Sequence, residues 1–273
     1  MFDNLNLNSI VEKKKIDVVH LHWVGKKKIS IKEIASIRKP VIWTFHDMWP
    51  FAGAEHFCYD NRFLNMYQST SRKKNEFGLD LDGIVWREKL KFFSKKKFYI
   101  TVPSKWMLKN IIKSKLFKNS EKFFLPNIID LSKWKLKNNK KSNKKKIELL
   151  FVATSSVNYR KGFGYLFDAI DKYLDKNKYS LLVIGEKPKK FDELKIEKRF
   201  LPTINSETKL IKTFKSSDIF VVPSIAESFG QVFVEAGSIG LLSIAFDGTA
   251  VSEIICHKKN GYLAKFKSSK DLA

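Results

Sequence analysis

The stretch Asp218-Ile-Phe-Val-Val-Pro-Ser-Ile-Ala-Glu-Ser-Phe-Gly-Gln-Val-Phe-Val-Glu-Ala-Gly-Ser-Ile-Gly240 decides the fold. Ile219 to Pro223 is a short apolar run stopped by Pro223 and Ser224, the pattern of a buried strand. Gln231 to Ile239 reads as a helix that ends at Gly240. Two glutamates mark the crossing. Glu227 lies in the loop, and Glu235 lies about one turn into the helix. The amides of Phe229, Gly230 and Gln231 are expected to point out of the helix N-terminus, which makes a ready anion site. Carboxylates accept hydrogen bonds from hydroxyls, while amides take a phosphate. The pattern therefore suits a ligand that is both polyhydroxylated and phosphorylated. The spacing alone also describes an ordinary solvated helix.

Working outward, Ile147-Glu-Leu-Leu-Phe-Val152 is a second buried strand, and it runs through a short loop into Arg160-Lys161-Gly162 and a helix from Phe163 to Tyr173. Two cations at a helix entrance complement a diphosphate. Gly162 permits close backbone approach. Strands follow at Tyr179–Ile184 and Leu241–Phe246, with a weak one near Phe200 and a helix from Ser206 to Lys215. A last helix begins near Ser268. Between Lys133 and Lys146 the chain carries eight lysines, three asparagines and no acid. Such a segment stays solvated and reads as an interdomain linker.

Before that linker, Ile16–His22 and Val41–Phe45 are strands joined by a helix over Ser30–Arg38, where Ser30 and Glu33 match a capping box. A β-α-β unit makes the two strands parallel, so His22 and His46 should lie near each other at one sheet edge. Residues 51–83 read as a long irregular loop. Then come a helix over Ile84–Lys95, a strand Phe98–Val102, a helix capped by Ser104, and a short strand at Phe123–Pro126.

The chain has 273 residues, enough for one large or two ordinary domains, and 44% are apolar, as in a soluble α/β protein. No apolar run is long enough to span a bilayer, and the N-terminus has no signal-peptide pattern. Cys58 and Cys256 are the only cysteines, which fits a reduced, cytoplasmic protein. The net charge of +24 has three readings. One is nucleic-acid binding, for which no motif is present. The second is peripheral contact with an anionic membrane face. The third is the composition of an AT-rich genome.

Glu227-Ser-Phe-Gly, seven residues between two glutamates, then Glu-Ala and Gly240, resembles the E-x7-E signature of retaining GT-B glycosyltransferases, in particular family 4. His46-Asp47-Met48-Trp49, Arg160-Lys161-Gly162 and Pro126-Asn127-Ile128-Ile129-Asp130 resemble further segments of that family, with Ile128 where a glycine is usual. The resemblance covers about residues 16–273. It implies an α/β fold of GT-B type, two Rossmann-like domains with parallel sheets facing a cleft. An incomplete N-terminal acceptor-side domain would span 1–132, the linker 133–146, and a nucleotide-sugar-binding domain lacking its last helices 147–273.

The resemblance also implies roles. His46, Glu227, Arg160 and Lys161 would be catalytic, with Glu227 on donor-sugar hydroxyls. Glu235 would take the ribose, alongside Phe229, Gly230, Gln231 and Gly162 on the donor. His22, Asp47 and Trp49 would face the acceptor. No protein nucleophile is implied: the leaving diphosphate takes the acceptor proton on the same face, giving retention. Glu227 and Glu235 are not a glycosidase pair, because such carboxylates converge on one bond at about 5–9.5 Å. No metal and no cofactor are implied; the donor would be a UDP- or GDP-sugar. His20, His22, His46, His56 and Cys58 leave a zinc reading open on residue type alone. The expected activity is transfer of a hexose to a glycan or lipid-linked acceptor in surface polysaccharide synthesis. The expected place is the cytoplasm, at the inner face of the plasma membrane. The alternatives are a truncated, silent relative that binds a nucleotide sugar or a partner, and a basic nucleic-acid-binding protein.

Overall fold

A computed structural model describes residues 7–24, 29–72, 76–135, 145–153 and 159–273. The chain forms two compact units, Met1–Asn127 and Ile128–Ala273. The first contains α1 (Leu7–Lys13), β1 (Val19–Leu21), α2 (Ile31–Ser36), β2 (Val41–Thr44), α3 (Leu81–Phe93), β3 (Tyr99–Val102), α4 (Lys105–Lys113) and β4 (Glu121–Phe124). Its four strands are all parallel, in the order β1-β2-β3-β4. The capping box at Ser30 is present: its side chain takes the Glu33 amide at 3.1 Å, and Glu33 Oε2 takes the Ser30 amide at 3.1 Å. Ser104 caps α4 through the Met107 amide. Helix α1 breaks a segment that polarity alone would leave irregular; Val11 is its one buried side chain.

Alternation along the strands buries one face of this sheet. Val41, Trp43, Ile100 and Val102 are fully inside, packed with Trp86 and Phe93 of α3 and with Met107 and Ile111 of α4. Trp43 meets Phe93 perpendicularly at 5.5 Å and Phe45 edge-on at 5.0 Å, so it is a core residue. The other face carries Val18, Ile42, Tyr99 and Phe123, of which Val18 and Phe123 are about half exposed.

Residues 51–83 differ from the expected irregular loop. Phe51, Phe63 and Tyr67 are buried, and two short 3-10 turns run over Arg62–Asn65 and Ser69–Ser71. Arg62, buried, meets Asp80 Oδ2 at 2.6 Å, and Asp80 in turn caps α3, which begins three residues before Ile84. These three aromatic residues join the core without a regular period, which is why pattern reading misses their packing, while Tyr59 and Phe77 of the same stretch are exposed.

The second unit contains β5 (Ile147–Ala153), α5 (Phe163–Tyr173), β6 (Tyr179–Gly185), β7 (Glu197–Leu201), α6 (Glu207–Ser216), β8 (Ile219–Val221), α7 (Gln231–Ser238), β9 (Leu242–Phe246), β10 (Gly261–Ala264) and α8 (Ser269–Leu272). Its six parallel strands run β10-β9-β8-β5-β6-β7. From β5 the chain winds one way through β6 and β7. It then returns to β8 and winds the other way. The adjacent strands β5 and β8 thus form the switch point where loops diverge and ligands of open α/β sheets bind. The strand β10 is absent from the sequence reading, because Gly261 and Tyr262 carry no apolar run.

The Lys/Asn-rich segment falls largely on residues 136–144, outside the described residues. Its first part, however, belongs to the second unit. Trp134 is 4% exposed and meets Phe214 edge-on at 5.4 Å within that unit's core. The unit boundary falls at Asn127, ahead of the charged run. Ile128 is fully exposed and is not among the residues with positive φ, so the position usual for glycine needs none here.

Candidate active site

In the second unit the two loops at the switch point are tied together. The Ile225 amide donates to Arg160 O at 2.9 Å. Gly162 makes this approach possible: its φ is +72°, and a Cβ there would sit 1.9 Å from Pro223 O. Glu227 lies against the basic pair. Lys161 Nζ reaches its Oε2 at 2.8 Å and Arg160 Nη1 reaches the same oxygen at 3.2 Å. Arg160 Nη1 also donates to Ala226 O at 3.1 Å. The three side chains are 12% (Glu227), 15% (Lys161) and 19% (Arg160) exposed, so this is a sheltered cluster. Burial alone would push the Glu227 carboxyl up. The Lys161 and Arg160 charges and their hydrogen bonds outweigh it and hold the carboxyl below its usual range.

The Glu227 carbonyl accepts from the Ala250 amide at 3.2 Å, which fixes the loop from the far side. Helix α7 then starts at Gly230, with φ +94° and no side-chain cap. The first amides of a helix lack the usual i−4 acceptor; Gly230 offers no side chain to cap them, and the Phe233 amide turns back to Gly230 O at 2.9 Å. Glu235, one turn on, accepts from Gln231 Nε2 at 2.8 Å. Its carboxyl is pushed up, chiefly by burial, with the Gln231 bond opposing and the Glu207 charge adding. The structure thus brings Arg160, Lys161, Gly162 and Glu227 together. Gly230, Gln231 and Glu235 lie on the helix that follows. Phe229 is half-buried between them.

In the first unit, parallel pairing of β1 and β2 sets His22 beside His46, Nδ1 to Nε2 at 3.0 Å. His20, two residues earlier, bonds Thr44 Oγ1 at 2.8 Å, and its ring lies 4.2 Å from that of His22. The His46 imidazole is held below its usual value, first by burial and then by the His22 charge; Asp47 opposes this. Asp47 is buried and points elsewhere. Its Oδ1 takes the Trp49 amide at 3.0 Å, and its Oδ2 takes Trp23 Nε1 at 3.0 Å and His56 Nδ1 at 2.7 Å. The expected trio of His22, Asp47 and Trp49 therefore splits between two adjacent clusters. Among the described residues, no group of three or more His, Cys, Asp or Glu is arranged to hold a metal ion.

Three residues have roles that the sequence does not show. Trp23 and His56 complete the Asp47 cluster, and nothing in the spacing of Asp47 and His56 signals their meeting. The third is Lys89. Its side chain is fully buried, and it donates to the carbonyls of Trp49, Ala52 (3.1 Å) and Gly53 (2.5 Å), with its ammonium 4.0 Å from the Trp49 ring centroid. It clamps the turn that follows the His-Asp-Met-Trp segment. A lysine in a helix of charged residues gives no sign of that role.

Two α/β units with parallel sheets, one carrying a glutamate loop at its switch point and the other a histidine pair at its strand ends, match the architecture of the GT-B fold. The family profile described as glycosyl transferases group 1 matches residues 132–273, and the chain belongs to that family. It is 29% identical over 267 residues to an uncharacterised 41.2 kDa protein in the cps region of Klebsiella pneumoniae, covering 93% of this chain and 67% of that protein. It is 30% identical over 122 residues to an uncharacterised glycosyltransferase of Methanocaldococcus jannaschii, covering 42% of this chain and 31% of the relative. Among solved structures, sucrose-phosphate synthase from Thermosynechococcus elongatus superposes with TM-score 0.70 at 14% identity, covering 97% of this chain and 65% of that one. Anabaena HepE in complex with UDP-glucose superposes with TM-score 0.65 at 17% identity, covering 97% and 69%. At these identities the structural likeness shows the fold alone. Among the described residues no helix is long and apolar enough to cross a membrane.

Proposed function

We propose that the chain transfers a hexose from a UDP- or GDP-sugar to a glycan or lipid-linked acceptor, with retention, in the synthesis of a surface polysaccharide. The observation that carries this is the sheltered cluster of Arg160, Lys161 and Glu227 at the switch point, beside an uncapped helix N-terminus. Two cations and free amides match the negative charge of a diphosphate, both in the bound donor and as it departs. In this reading Arg160 and Lys161 stabilise the leaving group, Glu235 holds the ribose, and Glu227 takes donor-sugar hydroxyls while its other oxygen steadies the cations. His46, kept neutral by burial, exchanges hydrogen bonds with the sugar near its anomeric centre. His22, Asp47 and Trp49 serve the acceptor side.

The work of the protein is then positioning and electrostatic stabilisation rather than covalent catalysis. The proton of the attacking hydroxyl goes to the departing diphosphate, the C1–O bond to the acceptor forms on the face that the phosphate leaves, and no cofactor enters. The cationic surface, net +24, supports a working place at an anionic membrane face. The test is a donor screen that reads release of UDP or GDP, with the product anomer assigned by NMR. Transfer with one donor and a retained anomer is expected. No release with any donor from the well-folded full chain sinks the activity, and an inverted product sinks the same-face step.

A further inference from the structure

We propose that Trp23, Asp47 and His56 form a hexoside-binding subsite, in which Nε2 of His56 accepts a hydrogen bond from a hydroxyl of the acceptor sugar. The transferase reading above supplies only the word acceptor; the binding itself stands on this cluster.

Asp47 fixes the chemistry of His56. One of its oxygens accepts from the Trp49 amide, and the other accepts from the Trp23 indole N–H. A carboxylate so engaged has no proton to offer, so His56 Nδ1, 2.7 Å away, is the donor in its bond to Asp47. That fixes the tautomer of the neutral ring. Its proton is on Nδ1, and Nε2 presents a lone pair. Among the described residues Nε2 has no partner. The backbone locks the same arrangement, because the Met48 amide donates to His56 O at 2.9 Å. The ring is also stacked on Trp23, with centroids 5.6 Å apart and planes 23° apart.

The cluster is buried on one side and open on the other. Asp47 is 11% exposed at its side chain, whereas His56 is 40% exposed. The two rings line a slot with His22, His46 and Trp49 whose free volume is about 10 Å³. That is room for about one water or one hydroxyl group, not for a second ring. A sugar would therefore lie outside, against the exposed ring edges, and send one hydroxyl inward. An anionic acceptor group finds no cation here among the lining residues, so the site suits a neutral hydroxyl.

The test is a titration of the full chain, labelled with 15N-histidine, with methyl α-D-glucopyranoside and methyl β-D-galactopyranoside. Long-range 15N–1H spectra read the His56 tautomer and its Nε2 shift, and the Trp23 indole N–H is followed alongside. The expected result is a His56 ring whose neutral form carries its proton on Nδ1, and whose Nε2 moves with at least one hexoside. In His56→Gln the affinity for that hexoside should fall roughly three- to tenfold, the loss of one hydrogen bond. Asp47→Asn should change the His56 tautomer, because three donors then meet only one full acceptor oxygen. A proton found on Nε2 in the wild type, or hexosides that leave His56 unmoved, overturns the assignment without any variant. So does an unchanged affinity in a folded His56→Gln. Calorimetry with UDP-glucose and GDP-mannose on the same samples separates the two readings. Hexoside binding together with no release from any donor in the screen above refutes the transferase reading and keeps this subsite; donor binding with a silent His56 does the reverse.

Discussion

Glu227→Gln removes one charge from the three-member cluster at the switch point, and its consequences can be worked from the contacts. Glu227 Oε2 receives both Lys161 Nζ and Arg160 Nη1, and all three side chains are less than one-fifth exposed. Removing one partner of a buried ion pair costs about 3–5 kcal/mol, because the other charge is left uncompensated. Arg160 keeps its bond to Ala226 O, and the glutamine oxygen still accepts one bond, so the loss should lie nearer 2–3 kcal/mol. In a unit of about 150 residues each kcal/mol moves the midpoint by roughly 3–4 °C, which gives a fall of about 6–12 °C. The loss depends on pH with a definite sign. The folded carboxyl lies below the 4.5 of a free glutamate, so its contribution is full above about pH 4.5 and is lost as the pH falls through the folded value. The melting gap between wild type and variant should therefore close in acid. Diphosphate should restore part of the loss, since the cluster then carries one more net positive charge. Free UDP or GDP is expected to bind the variant up to about tenfold more tightly, equivalent to about 1.4 kcal/mol. Thermal unfolding and calorimetry with and without nucleotide measure both effects. A variant that melts with the wild type at pH 7, or that binds free nucleotide tenfold more weakly, refutes the reasoning.

Gly162→Ala should destabilise the second unit by more than about 3 kcal/mol, since it combines left-handed backbone strain with a collision at Pro223 O; a wild-type denaturation midpoint would contradict this. Burial, followed by its bond toward Asp82, pushes the Glu55 carboxyl up to about 7, so this group takes stability away as the pH rises from 4.5 through 7. Glu55→Gln should therefore be more stable than wild type at pH 8 and closer to it at pH 5, as read by urea titration at both values. His22→Asn removes the second of the causes that hold His46 low and leaves burial in place. The His46 titration, followed by NMR, should move upward yet stay below 6.5. Lys89→Met leaves the carbonyls of Trp49, Ala52 and Gly53 without their common donor; the first unit should lose roughly 2–4 kcal/mol, with faster hydrogen exchange across that turn.

What the sequence shows is the part of the molecule that is periodic or punctuated. The apolar runs at Leu149 and Leu181, the Ser30, Ser104 and Ser206 caps, and the glycine at position 162 each act within a few residues, so local patterns reveal them. The winding of the second sheet follows from alternating strands and helices, and it brings Arg160 to Glu227 across a long sequence separation. The direct bond between them is not legible, because which charge faces which depends on how two loops cross at β5 and β8. The same holds for the first unit. Parallel pairing predicts that His22 and His46 meet, and they do. The meeting of Asp47 with His56 depends on the course of an aperiodic loop whose order comes from Phe51, Phe63 and Tyr67 packing inward. Lys89 is the extreme case, a charged residue that composition assigns to solvent and tertiary structure places among three carbonyls.

The half-covered sheet of the first unit bears on how the molecule behaves in solution. Val18, Ile42, Tyr99 and Phe123 offer an apolar strip on a parallel sheet, an architecture whose faces are usually both covered. Against that strip stands a formal charge of +24, which drives copies apart. The two influences respond differently to added salt. Repulsion reaches about 10 Å at 0.1 M and only about 3 Å at 1 M, while apolar attraction does not weaken. Colloidal behaviour should thus run opposite to that of proteins held together by ion pairs. Dilute buffer should keep this chain dispersed, and concentrated salt should drive it toward self-association through the strip. Sedimentation across an ionic-strength series would show the trend, and Tyr99→Lys and Phe123→Lys should abolish it.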